Sequence, residues 1–154
     1  MSIIYKDGDL VADTSITVFC HQCNSFGVMG AGIAKQIALT YPEVKEKDRI
    51  TFQHYGPDGM FGNTMPVLTS DGRWCINMYS QYHYGRGCMT NYEKFEKCLN
   101  TLARWLSDKP SDWTVGFPYL IGCGLAGGDW NIIEPLLTSF SEKVKQKVVI
   151  VRKV

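Results

Sequence analysis

The chain of 154 residues has no apolar run of 18 residues, so no segment is expected to span a membrane. It has no excess of one charge either. Sixteen Lys and Arg stand against 15 Asp and Glu, and no basic stripe gathers, so there is little electrostatic reason to expect bulk nucleic-acid binding. No secretory leader is expected either: "MSIIYKDGDL" carries acids within its first ten residues, and a cytoplasmic, intracellular setting is expected. No repeat, low-complexity tract or linker interrupts residues 1–154, which read as a single domain, a monomer by default. Zinc-type cysteine spacing is also lacking. Of Cys20, Cys23, Cys75, Cys88, Cys98 and Cys123, only the first two form a C-x-x-C, at a strand end where residues three apart point to opposite faces. Reduced thiols are expected, with no metal and no cofactor.

What is present is an alternation of strands and helices. "IIYK" (3–6) reads as a short strand, and the β-branched "SITVFCH" (15–21) as a buried one. "GIAKQIALTY" (32–41) has Ile33, Ile37 and Tyr41 at helical spacing; Pro42 opens a second helix that Gly56 ends, and "PDGMFGN" (57–63) reads as a turn. "TMPVLT" and "RWCINMY" are strands joined by "SDG". An aromatic, glycine-rich loop, "SQYHYGRGCM" (80–89), leads to Thr90-x-x-Glu93, a capping-box pattern. The helix after it carries Phe95, Cys98, Leu99, Leu102, Trp105 and Leu106 on one side. "DWTVGF" (112–117) is a strand, "NIIEPLLTSFSEKVK" a helix and "KVVIVRK" a closing strand. Continuously apolar strands among helices predict an α/β fold, a mixed and mostly parallel sheet covered on both faces.

Two glycine-rich segments each follow a strand and precede a helix. The first runs Gly27-Val-Met-Gly30-Ala-Gly32, the second Gly122-Cys-Gly124-Leu-Ala-Gly127-Gly128-Asp129. In such folds ligands bind beyond the carboxyl ends of strands, so both loops belong on one rim. Glycine lets successive amides converge on an anion, and a helix start adds about half a positive charge. Two such loops facing each other would hold a diphosphate without Lys or Arg. A glycine turn before a helix also serves as a plain tight connection, and it is the pair that strengthens the case. Neither loop is a P-loop, since Ile33 follows Gly32, and G-x-x-G-x-G is not the dinucleotide fingerprint.

"GDL" (8–10), "HQCNSFGVMGAGIAKQIALTYP" (21–42) and "IGCGLAGGDW" (121–130) together resemble the macrodomains, the family of ADP-ribose-binding modules, and the order of elements agrees over essentially the whole chain. The first long block is similar to the ADP-ribose 1″-phosphate phosphatase branch, and "IGCGL" also to the branch that removes terminal ADP-ribose from protein carboxylates. The resemblance implies a three-layer α/β/α sandwich. It places Gly8, Asp9 and Leu10 at the adenine, with the Asp9 carboxylate accepting from the amino group. It places His21, Gln22 and Asn24 near the distal ribose. The backbones of Val28, Met29, Gly30, Ala31, Gly32 and Ile33, and of Ile121, Gly122, Cys123, Gly124, Leu125, Ala126 and Gly127, would wrap the diphosphate and distal group.

The chain departs from the hydrolytic branch: no lysine precedes Lys94 in the segment after the central strands, and Ala126 stands where an aspartate follows "GCGL". The groups left near the distal end are His21, Asn24, His83 and Asp129. His21 is the candidate to activate water or protonate a leaving oxygen, or else a strand-end residue bonded to backbone. Asp129 is a candidate base and, compatibly, a helix N-cap. Tyr79, Tyr82 and Tyr84 would line the ribose side or cover the sheet end; Cys23 and Cys123 would flank the site or pack behind its turns. The expected activity is hydrolysis at the distal ribose of ADP-ribose, of its 1″-phosphate or of a modified macromolecule. The alternative is a non-catalytic module that binds ADP-ribose, an ADP-ribosylated partner or another NAD-derived nucleotide.

Overall fold

Four successive buried residues in one strand, Val18 to His21, require cover on both faces of the sheet, and the computed structural model supplies it. It describes residues 3–85, 87 and 89–154; Cys88, one of the expected thiols, lies outside them. The chain runs β1 (Ile4–Asp7), β2 (Val18–Asn24), α1 (Gly32–Thr40), α2 (Pro42–Met60), β3 (Thr64–Leu68), β4 (Trp74–Gln81), α3 (Tyr92–Leu106), β5 (Thr114–Pro118), α4 (Trp130–Lys143) and β6 (Lys147–Arg152). The strands form a sheet in the order β1-β6-β5-β2-β4-β3, parallel throughout except for the β3–β4 pair. This is the mixed, mostly parallel α/β architecture expected.

The strand residues divide by parity. Val18 and Cys20 pack with Phe95, Leu102, Leu137 and Phe140 beneath α3 and α4, whereas Phe19 packs with Ile37, Tyr41 and Val44 beneath α1 and α2. Cys20 and Cys23 accordingly belong to different clusters. Arg73 is buried at 3% exposure with its guanidinium 4.3 Å from the Phe19 ring. It donates to the carbonyls of Leu10, Val11, Asp13 and Ile16 and to the Tyr41 hydroxyl, and so pins the excursion between β1 and β2 to the sheet.

Three local differences from the sequence reading have tertiary causes. β2 starts at Val18 and continues through Asn24, because β4 pairs with it as far as Gln81, with a register shift between Gln22 and Asn24. α2 bends at Gly56 (φ 69°, ψ 177°) and resumes over Pro57–Met60, where a turn was expected. The cap of α3 is Asn91, whose side chain accepts from Lys94 N, not Thr90. Thr90 is drawn into a bridge with Gln81, and its hydroxyl donates to Gly122 O at 2.6 Å.

Candidate ligand-binding cleft

The first jaw grows from the end of β2. Asn24 Nδ2 donates to Val28 O at 2.7 Å while Oδ1 accepts from Phe26 N at 3.0 Å, which folds the chain back on itself. Gly27 turns at φ 70°, and a Cβ there would lie 2.9 Å from Phe52 Cβ. α1 then begins without a side-chain cap: Ala31 is its N-cap, and its first turn holds no acidic residue. Among the described residues the amides of Gly32, Ile33 and Ala34 have no partner; the first bond closed is Lys35 N to Ala31 O at 3.2 Å. Such amides carry the positive end of the helix dipole and favour an anion.

The second jaw follows β5. Leu120 adopts φ 63°, the left-handed region that costs a bulky residue energy. Gly127 N bonds Gly124 O and Gly128 N bonds Gly122 O, and Met89 N reaches across to Ala126 O at 2.7 Å. These bonds leave the amides of Gly124, Leu125 and Ala126 without partners among the described residues.

Between the jaws lies a cleft of about 580 Å3. Of the residues expected at a ligand, it is lined by Gln22, Asn24, Val28, Met29, Gly30, Ala31, Gly32 and Ile33, and opposite them by Ile121, Gly122, Gly124, Leu125 and Ala126. Cys23, Ala34, Gln81, Tyr84, Gly85 and the run Pro118–Leu120 complete the wall. Tyr84 and Cys23 were weighed from sequence. The Pro118–Leu120 run was missed, although its place directly after a strand was a signal.

Gly8, Asp9, Leu10, His21, Cys123, Gly127 and Asp129 are absent from the described lining. Leu10 is core, 4% exposed. His21 is fully buried, with Nε2 2.6 Å from Asn77 Oδ1. Asn77 Nδ2 donates to the Tyr79 hydroxyl at 3.2 Å, and that hydroxyl donates to Asp48 Oδ1 at 2.6 Å. Asn77 Oδ1 therefore accepts, and Nε2 of His21 carries the proton. Burial pulls the His21 pKa down to about 4, against the opposing effect of the Asn77 bond, so the ring is neutral at pH 7. A ring held beneath the cleft cannot deliver a proton into it. Asp129 is exposed and caps α4, with Oδ1 accepting from Asn131 N at 2.9 Å. Tyr79 is buried, Tyr82 donates to Asp58, and His83 stacks on Phe26 with centroids 4.6 Å apart.

The polar side chains on the wall are bound to the protein itself. Gln22 donates to Thr90 and Gln81 and accepts from Ser80; Gln81 donates to His83 O; Asn24 holds its own turn. Among the described lining residues there is no Lys, Arg, His, Asp or Glu. The cleft's chemistry is therefore that of main-chain amides framed by apolar side chains, with the hydroxyls of Tyr84 and Tyr119 beside them.

No family model matches the sequence. An uncharacterised 17.5 kDa protein of the tk-vs intergenic region of Enterobacteria phage T4 is 29% identical over 153 residues, covering 97% of this chain and 96% of that protein. Among solved structures, the macrodomain of Mycobacterium tuberculosis DarG superposes with a TM-score of 0.83 at 26% identity, covering 97% of this chain and 96% of that one. The fold is that of the macrodomains. A further likeness is one of fold alone: Thermosipho africanus DarTG, solved in complex with ADP-ribose, has a TM-score of 0.79 at 20% identity, over 94% of this chain and 40% of that one. The rim that holds the cleft is the carboxyl edge of the sheet, reached by the ends of β2, β4 and β5.

Proposed function

We propose that this macrodomain, residues 1–154 acting as one module, binds ADP-ribose, free or attached to a macromolecule, and holds its diphosphate with main-chain amides. One observation carries the reading: the uncapped start of α1 faces the unpaired amides of Gly124–Ala126 across a cleft whose described lining has no cationic side chain. A diphosphate satisfies both rows of donors, and hydrogen bonds to a charged acceptor are the strong ones. In this reading Asn24, Gln22, Gln81 and Tyr84 would meet the distal ribose, and Ile33, Ala34, Pro118 and Tyr119, all on the cleft wall, would lie toward the base. The reading is tested by titration calorimetry of the protein with ADP-ribose and with AMP. ADP-ribose should bind in the micromolar range and AMP far more weakly; no heat with ADP-ribose at millimolar concentration overturns it.

A second reading adds hydrolysis at the distal ribose, and the same free amides favour it, since they can stabilise charge that builds on a distal phosphoryl or ester oxygen. For ADP-ribose 1″-phosphate, water adds to phosphorus, the bond from phosphorus to the ribose oxygen breaks, and that oxygen takes a proton, leaving phosphate and ADP-ribose. His21 and Asp129 have no part in this version, because neither lines the cleft. Phosphate release from ADP-ribose 1″-phosphate tests it. Tight binding without release on this substrate or on ADP-ribosyl esters leaves the binding module.

A further inference from the structure

A second concavity, of about 550 Å3, opens beside the cleft between the edge strand β1, the end of β6 and the start of α4. Three aromatic rings line it, Tyr5, Tyr119 and Trp130, together with Lys6, Asp7, Glu134 and Arg152. Tyr119 also lines the cleft, so one ring forms the wall between the two. It meets Trp130 in an edge-to-face contact at 5.3 Å, and the left-handed Leu120 follows it directly. A residue held in a costly conformation commonly marks a functional position. Tyr5 is 50% exposed and Tyr119 37%, so ring surface is open to the groove. The charges of the groove balance except for one. Arg152 Nε lies 2.9 Å from Asp7 Oδ1, and Lys6 Nζ lies 2.7 Å from Asp13 Oδ2. Glu134 has no ion pair among the described residues. Its Oε2 accepts from the Tyr5 hydroxyl, whose pKa is raised to about 12 by burial and then by Glu134, so the phenol stays the donor. Oε1 has no hydrogen-bond partner among the described residues.

We propose that this groove is a recognition site for an arginine side chain of a partner protein. Aromatic faces attract a cation, and a planar guanidinium stacks on them. The unmatched Glu134 carboxylate supplies the opposite charge, and its Oε1 can accept from a guanidinium N–H. A neutral ring would use the aromatic surface but leave that carboxylate unmatched, and an anion would meet it as a like charge. A lysine ammonium is compact and strongly hydrated, and it matches flat rings less well. The groove is bordered by β1, which stands at the end of the sheet and pairs with β6 alone among the described strands. Its outer edge offers main-chain groups to the peptide that carries the arginine, which favours a protein over a free amine. The seat is separate from the cleft and is filled without a ligand there.

An NMR titration of the isotope-labelled protein with the peptide acetyl-Gly-Arg-Gly-amide tests this. It is read on the Trp130 indole N–H, a signal identified by its loss in Trp130→Phe. The signal should shift and saturate with a dissociation constant of about a millimolar, the scale of one side chain in an open groove. The citrulline counterpart has the same shape without the charge and should bind about tenfold more weakly; the lysine counterpart should lose about threefold. Glu134→Gln should weaken the arginine peptide about tenfold and Tyr5→Ala about fivefold, with unchanged melting temperatures verifying the fold. An indole signal that stays still at about 20 mM peptide overturns the proposal. So does a citrulline or lysine peptide that binds as tightly as arginine, or a Glu134→Gln protein that binds as the wild type does. Each of these results leaves the reading of the cleft standing.

Discussion

Gly124→Val separates the cleft from the fold that carries it. An ideal Cβ at Gly124 meets no atom within 4 Å, and its φ lies outside the left-handed region. Valine there should leave stability within about 0.5 kcal/mol of the wild type, as a surface change away from packing does. Gly124 lines the cleft, so in the proposed reading the same branched side chain would crowd a ligand held by the amides of Gly124–Ala126. Losing two hydrogen bonds to a charged diphosphate, at about 1.5–3 kcal/mol each, lowers ADP-ribose affinity by roughly 3–6 kcal/mol, or more than a hundredfold. Two neighbouring positions calibrate the experiment. At Gly32 the space is equally open, but φ is 56°, so valine adds about 1–2 kcal/mol of backbone strain. At Gly128 a Cβ would lie 2.5 Å from Gly122 O, a backbone clash that should disrupt the loop itself. Melting temperature and calorimetric affinity are read together on all three. If Gly124→Val folds and binds ADP-ribose within about threefold of the wild type, the amides of this jaw do not hold the ligand.

Further expectations concern the support beneath the cleft. Because the folded His21 pKa of about 4 lies below the unfolded value near 6.5, the unfolded state takes up the proton first as pH falls. Stability should drop by about 2 kcal/mol between pH 7 and pH 5 from this group alone, and urea midpoints of His21→Gln should lack that part of the slope; an identical slope in both proteins would remove the argument. Arg73→Met leaves the carbonyls of Leu10, Val11, Asp13 and Ile16 without this donor and should cost at least about 3 kcal/mol in urea unfolding; a cost below 1 kcal/mol would show that water replaces the guanidinium. Gln22→Leu cuts the connection from Ser80 through Thr90 to Gly122 and should weaken ADP-ribose binding about tenfold with a lower melting temperature, whereas unchanged affinity would free the second jaw from dependence on it.

Periodicity and glycine placement carried most of the architecture. The helix from Gly32, the hairpin around "SDG", the buried face of α3 and the closing strand are local patterns, and each recurs in the structure close to where it was read. The two jaws were legible for the same reason, since a glycine run between strand and helix is a local feature and the carboxyl rim follows from parallel pairing. Side-chain roles are different, because they depend on what arrives from elsewhere in the chain. His21 looked available at the end of a short strand; pairing with β4 extended that strand and buried the ring against Asn77, 56 residues away. Asp9 looked open in its turn until α1 brought Gln36 onto it, and Thr90 looked like a cap until Gly122 claimed its hydroxyl. The amino-acid sequence by itself determined the layers, the rim and the flexible backbone there. Only the tertiary structure decided which polar groups remain free to meet a ligand, because hydrogen-bonding capacity is used up by contacts between segments far apart in the chain.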